Sequence, residues 1–165
     1  MATVTLKGNL VHLAGTFLNV GQKAPDFILV SSSLEDKTLD SFSAVKKILL
    51  IVPSLETSVC STCTKTFHEK VVNRKDLELL VISADLPFAQ KRYCEAEHVS
   101  NLTALSTMRD QSFGKDYGVL IQDGPLKGLC TRAVLLLDEN NKVLYAELVS
   151  EITSEPNYEK LFALI

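Results

Sequence analysis

KKILLIV, residues 46–52, runs directly into PSLETSVCSTC, residues 53–63. The first stretch is a continuous apolar run behind two lysines, which is how a central strand covered on both faces reads. From Thr62 to Val72 the spacing turns helical, with Phe67 and Val71 four apart. Cys60 is thereby placed between a central strand and a helix. Ligands of open α/β sheets gather at the carboxyl ends of strands. A helix start also offers a thiolate free backbone N–H groups and the positive end of the dipole.

Outward from this unit, TVTLKGNLVHL alternates around Lys7-Gly8-Asn9 and reads as an N-terminal hairpin. FILV (27–30) is a short strand, and Leu39 is assigned to an edge strand within a polar, turn-rich segment. LELLVISA (77–84) is a second buried strand. In DLPFAQKRYCEAEHV, Asp85 is the expected N-cap of a helix opened by Pro87 and Phe88 and carrying Cys94. LTALST is a strand, DQSFGKDYGV a short helix broken at Gly118, and TRAVLLLD and KVLYAELV flank a turn at Glu139–Asn141. NYEKLFALI closes the chain as a helix. Strands alternating with helices, then a terminal hairpin and helix, predict an α/β fold with a central mixed sheet flanked by helices. That order suits a thioredoxin-like fold, residues 1–165 forming one domain with residues 1–20 as a hairpin extension.

The chain has 165 residues, 46% of them apolar and 22% charged, a composition that builds a core without staples. The net charge of −3 and the lack of a basic run exclude a polyanion-binding role, so no nucleic-acid partner is expected. No apolar stretch approaches membrane-helix length, and no secretory pattern is visible at the start. A cytoplasmic, reducing compartment follows as the expectation. There the four cysteines (Cys60, Cys63, Cys94, Cys130) are catalytic, metal-bound or inert rather than cross-linked. Asn101-Leu102-Thr103 fits a glycosylation sequon that such a compartment would leave unused.

Cys60 and Cys63 permit three readings: a redox dithiol, half of a zinc site, or one working thiol beside a bystander. The dithiol is sterically allowed, because Cα atoms three apart on a helix are about 5 Å apart. The zinc reading lacks a second pair, since Cys94 and Cys130 stand 36 apart and His12, His68 and His98 are scattered. A free thiol is only about 3% ionised at neutral pH, so full ionisation gains at most a factor of about 30. A fast thiol enzyme therefore needs donors that hold the substrate and the leaving oxyanion. Thr57 and the backbone amides near Cys60 are candidates. Arg132 is another, standing before the apolar run AVLLL where a charge is costly unless it meets an anion. Cys130, two residues earlier, would share its face on a strand.

PSLETSVC carries the peroxiredoxin pattern of Pro, three residues, Thr, two residues and Cys. With ISADLPFAQKRYC, DGPLKGL, TRAV and DENNKVLYAELVSEITSEPNYE, the chain resembles the bacterial thiol peroxidase subfamily over its whole length. The resemblance implies a thioredoxin-fold peroxidase, needing no metal or organic cofactor, that reduces hydrogen peroxide and alkyl or lipid hydroperoxides in antioxidant defence. It implies Cys60 as peroxidatic thiol, shielded by Pro53, with Thr57 and Arg132 binding the peroxide. Cys94 falls on the family's resolving cysteine, and a Cys60–Cys94 disulfide within one subunit of a homodimer would be recycled by thioredoxin. Cys63 and Cys130 depart from the pattern. The rival reading is a dithiol–disulfide oxidoreductase using Cys60-x-x-Cys63, which leaves Thr57 and Arg132 without a task. A third is a zinc-stapled or redox-sensing module without turnover. Glu56, beside the thiol, is expected to point outward.

Overall fold

The run at 46–51 is an interior strand of the main sheet, and the alternation of its side chains feeds two of the protein's apolar cores, one on each face. A computed structural model describes residues 2–42 and 45–165. In chain order the elements are β1 (Thr3–Leu6), β2 (Asn9–Ala14), β3 (Leu29–Ser31), β4 (Asp36–Lys37), β5 (Lys46–Ile51), α1 (Ser58–Val71), β6 (Leu77–Ser83), α2 (Pro87–Ala96), β7 (Thr103–Ser106), α3 (Ser112–Asp116), β8 (Leu120–Ile121), β9 (Ala133–Leu137), β10 (Val143–Leu148) and α4 (Tyr158–Phe162). The main sheet has the spatial order β10-β9-β5-β6-β7-β3-β4. β5, β6 and β7 pair in parallel; β9, β10, β3 and β4 are antiparallel to their neighbours.

Successive side chains of a strand point to opposite faces. Leu49 and Ile51 accordingly join Leu80, Ile82, Leu135 and Leu137 in one cluster, closed by Phe113 and Tyr117 beyond the sheet. Ile48, Leu50 and Val52 join Leu79, Val81, Val134 and Leu136 in the other, closed by Phe67 and Val71 of α1 and Leu161 of α4. Phe67 is fully buried and meets the Tyr158 and Phe162 rings at 5.1 and 5.7 Å. Truncating a ring so placed costs about 3–5 kcal/mol, so this contact fixes α1 on the sheet.

The N-terminal hairpin turns at Lys7 and Gly8, both with positive φ (49° and 82°), the pair a two-residue turn of matching twist requires. β2 then pairs with β8 to make a separate three-stranded sheet. Thr5 joins this hairpin to the far end of the chain: its N–H donates to Ser150 and its carbonyl accepts from Ile152, both at 2.8 Å.

Several boundaries differ from the sequence reading. α1 begins at Ser58 rather than Thr62, so Cys60 lies inside the first helical turn instead of ahead of it. The strand expected at 27–30 is shifted to Leu29–Ser31. Leu39 opens a short 3-10 turn, Leu39–Phe42, because its N–H is taken by the Asp26 carboxylate; the edge strand is Asp36–Lys37. Part of the polar segment, Ser43 and Ala44, lies outside the described residues.

Candidate active site

β5 delivers the chain into Pro53–Thr57, and two side chains shape that connection. Asp85 was expected to cap its own helix; that N-cap is Leu86, with no side-chain bond. The Asp85 carboxylate instead accepts from Ser54 Oγ (2.7 Å), Leu55 N–H (2.8 Å) and Ser83 Oγ (2.9 Å). It thus ties the segment before α1 to the end of β6. Thr57 is the N-cap of α1: its Oγ1 accepts from Cys60 N–H at 3.4 Å and donates to the Ser54 carbonyl at 3.2 Å. An N-cap of this kind stabilises a helix by about 1 kcal/mol. Here it also fixes the backbone of Cys60.

Cys60 is fully buried. Its sulfur accepts a hydrogen bond from Nη2 of Arg132 at 3.0 Å, while Nη1 reaches Cys63 Sγ at 3.6 Å. Nε donates to the Ile152 carbonyl at 3.0 Å, and Arg132 as a whole is 1% exposed. A guanidinium taken out of water costs several kcal/mol unless an anion meets it. Among the described residues no carboxylate pairs with Arg132, and its terminal nitrogens meet only the two sulfurs. No third His, Cys, Asp or Glu among the described residues joins Cys60 and Cys63 in a metal-binding group. The partner present is a cation.

In front of Arg132 opens a cavity of about 670 Å³. Pro53, Thr57, Val59 and Arg132 line its inner side, with Leu6, Leu10 and Val11 from the hairpin, Leu126 and Leu129 from the loop after β8, and Ile152 around the mouth. The hairpin wall is held by Glu151, whose carboxylate accepts from Thr5 Oγ1 (3.0 Å), Gly8 N–H (2.9 Å), Thr153 N–H (2.9 Å) and Thr153 Oγ1 (2.8 Å). Those donors, Thr153 N–H first, hold the Glu151 carboxyl down at about 2. Glu56 points away from the site to Arg92, at 3.3 Å.

The remaining cysteines separate. Cys94 is half-buried on α2 and lines a different cavity, with Lys91, His98 and Leu102, that shares no residue with the cleft. Burial pushes its thiol up. α2 nevertheless lies against α1: Tyr93 and Ser61, neighbours of Cys94 and Cys60, meet through their hydroxyls at 3.0 Å. Cys130 does not share a face with Arg132. Alternation holds only within an extended strand, and β9 starts at Ala133; Arg132 keeps step with Val134 and Leu136, whereas Cys130 packs on the opposite core, where burial pushes its thiol up to about 12. All four cysteines are free thiols.

The structure thus brings Pro53, Thr57, Cys60 and Arg132 together, adds Cys63 to the same fork, and keeps Cys94 apart. Sequence reasoning missed Ile152, Glu151 and the true task of Asp85. A carbonyl leaves no signal in a sequence, and Asp85 carried one that pointed to the wrong helix.

Comparison with known proteins agrees over the full chain. The Redoxin family model matches residues 19–162. The chain is 49% identical over 165 residues to a thiol peroxidase of Leptospira interrogans, covering 99% of this chain and 96% of that one. Among solved structures, a peroxiredoxin-like protein from Aquifex aeolicus superposes with a TM-score of 0.93 at 44% identity, covering 99% and 95% of the two chains. A thiol peroxidase from Chromobacterium violaceum does so with a TM-score of 0.93 at 27% identity, covering 98% and 94%. With this mixed sheet, its thioredoxin-like fold and a cysteine–arginine pair at the head of α1, the chain belongs to the redoxin family as a thiol peroxidase of the peroxiredoxin type, a thiol-dependent peroxidase.

Proposed function

We propose that Cys60 is the peroxidatic thiol, and the observation that carries this is the buried Arg132 guanidinium held 3.0 Å from its sulfur at the base of an apolar cleft. The Cys60 thiolate attacks the distal peroxide oxygen, the O–O bond breaks, and the alkoxide or hydroxide takes a proton and leaves as alcohol or water. Arg132 stabilises the sulfur and the departing oxygen, which is where preorganised donors matter most. Thr57 adds a donor once its hydroxyl turns from the Ser54 carbonyl, at the expense of one 3.2 Å hydrogen bond. Pro53, buried at the cleft floor, keeps water from the sulfur.

The product is a sulfenic acid on Cys60, which Cys94 resolves to a disulfide with release of water. The Tyr93–Ser61 contact supports this pairing by holding the two helices side by side, and their ends must unwind for the sulfurs to meet. A dithiol reductant of the thioredoxin class returns both thiols. The cleft, rimmed by leucine, valine and isoleucine, suits alkyl and lipid hydroperoxides as well as hydrogen peroxide. The working form is a homodimer in the reducing cytoplasm, residues 1–165 of each subunit forming a single domain with the hairpin at 1–20 as its extension. The exposed side chains of Leu86 and Phe88, 55% and 67% accessible, give a second copy an apolar surface to cover. The dithiol oxidoreductase reading gains nothing from Thr57 or the cleft and is not better supported.

Disulfide mapping after one equivalent of cumene hydroperoxide, with Cys60→Ser as control, tests the cycle. A Cys60–Cys94 link that vanishes in the control is expected. An unoxidised Cys60 would overturn the reading.

A further inference from the structure

Cys63 is the buried nucleophile that this cycle leaves unused. It is fully buried one helical turn after Cys60, and its sulfur takes one terminal nitrogen of Arg132 while Cys60 takes the other. Two sulfurs on neighbouring prongs of one planar guanidinium stand on the same side of α1. Cα atoms three apart on a helix are about 5 Å apart, within the range of roughly 4.4–6.8 Å that disulfides span. Their Cβ atoms, about 5–6 Å apart, need a local shift of the first turn to reach the roughly 3.5–4.5 Å of a disulfide. Cys94, by contrast, sits on another helix and opens to another cavity. Burial pushes the Cys63 thiol up, with the Tyr158 hydroxyl and Arg132 partly offsetting this. The side chain therefore meets Cys60 as a thiol that carries its own proton and has donors ready for the thiolate.

We propose that Cys63 is a resolving thiol that acts ahead of Cys94, closing a disulfide with the oxidised Cys60 by a local shift of the first turn of α1, smaller than the opening that brings in Cys94. This rests on Cys60 being the peroxidatic thiol. In the step, the Cys63 sulfur attacks the sulfenic sulfur of Cys60, and the S–O bond breaks as the S–S bond forms. The Cys63 proton departs with the hydroxyl as water. Cys60 is reduced from the sulfenic to the disulfide level and Cys63 is oxidised to it. When the helix ends open, the Cys94 thiolate attacks the Cys60 sulfur and expels Cys63 as a thiolate beside Arg132, leaving the Cys60–Cys94 disulfide. The sulfenic acid is thereby removed without waiting for that opening, which limits its further oxidation to sulfinic acid.

The test uses the full-length Cys94→Ser protein, one equivalent of hydrogen peroxide, dimedone to trap sulfenic acid, alkylation and peptide mapping. Cys60 and Cys63 fall on one tryptic peptide, residues 48–65. The expected result is loss of both alkylatable thiols from that peptide, an internal disulfide and no dimedone adduct. In the Cys63→Ser/Cys94→Ser protein the same treatment is expected to give the dimedone adduct on Cys60. The proposal is overturned if Cys94→Ser carries the adduct or sulfinic acid on Cys60 with Cys63 alkylated, an outcome that leaves the peroxidatic role of Cys60 intact. No oxidation of Cys60 in either protein would overturn both.

Discussion

Replacing Arg132 by lysine keeps a positive charge in the site and removes the fork. The guanidinium makes three contacts in fixed directions, to Cys60, Cys63 and the Ile152 carbonyl. A compact ammonium on a flexible stem cannot reproduce all three. A hydrogen bond to a charged group contributes about 1.5–3 kcal/mol. At 1.36 kcal/mol per decade, losing one such bond in the transition state slows peroxide reduction roughly 10- to 150-fold. Part of that loss could come from ionisation alone, which is limited to a factor of about 30 and disappears once pH exceeds the thiol range, near 8.5–9. Single-turnover thiol oxidation by stopped flow, run from pH 6 to pH 9.5, separates the two. The expected deficit persists at the alkaline end, because orientation of the sulfur and the leaving oxygen does not recover with pH. A variant that matches the parent within a factor of about three at neutral pH, with unchanged circular dichroism, would show that the guanidinium fork contributes nothing beyond its charge.

Asp85→Ala leaves Ser54, Leu55 and Ser83 without their shared acceptor; at about 1–3 kcal/mol for stranded donors the melting temperature should fall by roughly 2–12 °C, and a shift under one degree would show that the carboxylate is dispensable. Glu151 has a folded-state pKa of about 2 against an ordinary 4.5, so its contribution is present above about pH 4.5 and is lost as pH falls towards 2. Urea denaturation of the parent and Glu151→Gln should therefore show a stability gap at pH 7 that closes between pH 4.5 and 2; a constant gap would contradict this. Gly118→Ala drives a Cβ into the backbone of Thr16 and Phe17 at a φ of +69° and should cost more than about 2 kcal/mol in urea midpoint analysis. Gly21→Ala, at φ +94° with open space around it, should cost only about 1 kcal/mol of backbone strain. Equal losses at the two glycines would show that the close approach at Gly118 is unimportant.

The elements that local pattern dictates were legible in the sequence. The continuous apolar run in KKILLIV is realised as a strand covered on both faces, and the hairpin turns where Lys7-Gly8-Asn9 predicts. The candidate thiol was visible because a cysteine between a buried strand and a helix is an unusual placement. What stayed hidden depends on distant partners. The start of α1 is fixed by the hydroxyl of Thr57 and by Asp85 from another strand's end, not by apolar periodicity. Cys130 and Arg132 are two apart yet face opposite cores, because the strand that would align them begins only at Ala133, after both. The place of Cys63 in the fork could not be read from spacing alone, since it needs the direction from which Arg132 arrives.

During synthesis Cys60 leaves the ribosome 72 positions ahead of Arg132. At about 5–20 residues per second that interval is roughly 4–14 s. The Nε acceptor of the guanidinium follows 20 positions later still, and the hairpin side chain of Thr5 waits 145 positions for Ser150. Contacts so far apart in the chain close late in folding. Until they close, Cys60 is an unassisted thiol without a cation or a cleft. Reactivity towards peroxide is therefore coupled to completion of the fold, and an unfinished chain meets oxidants no better armed than any free cysteine.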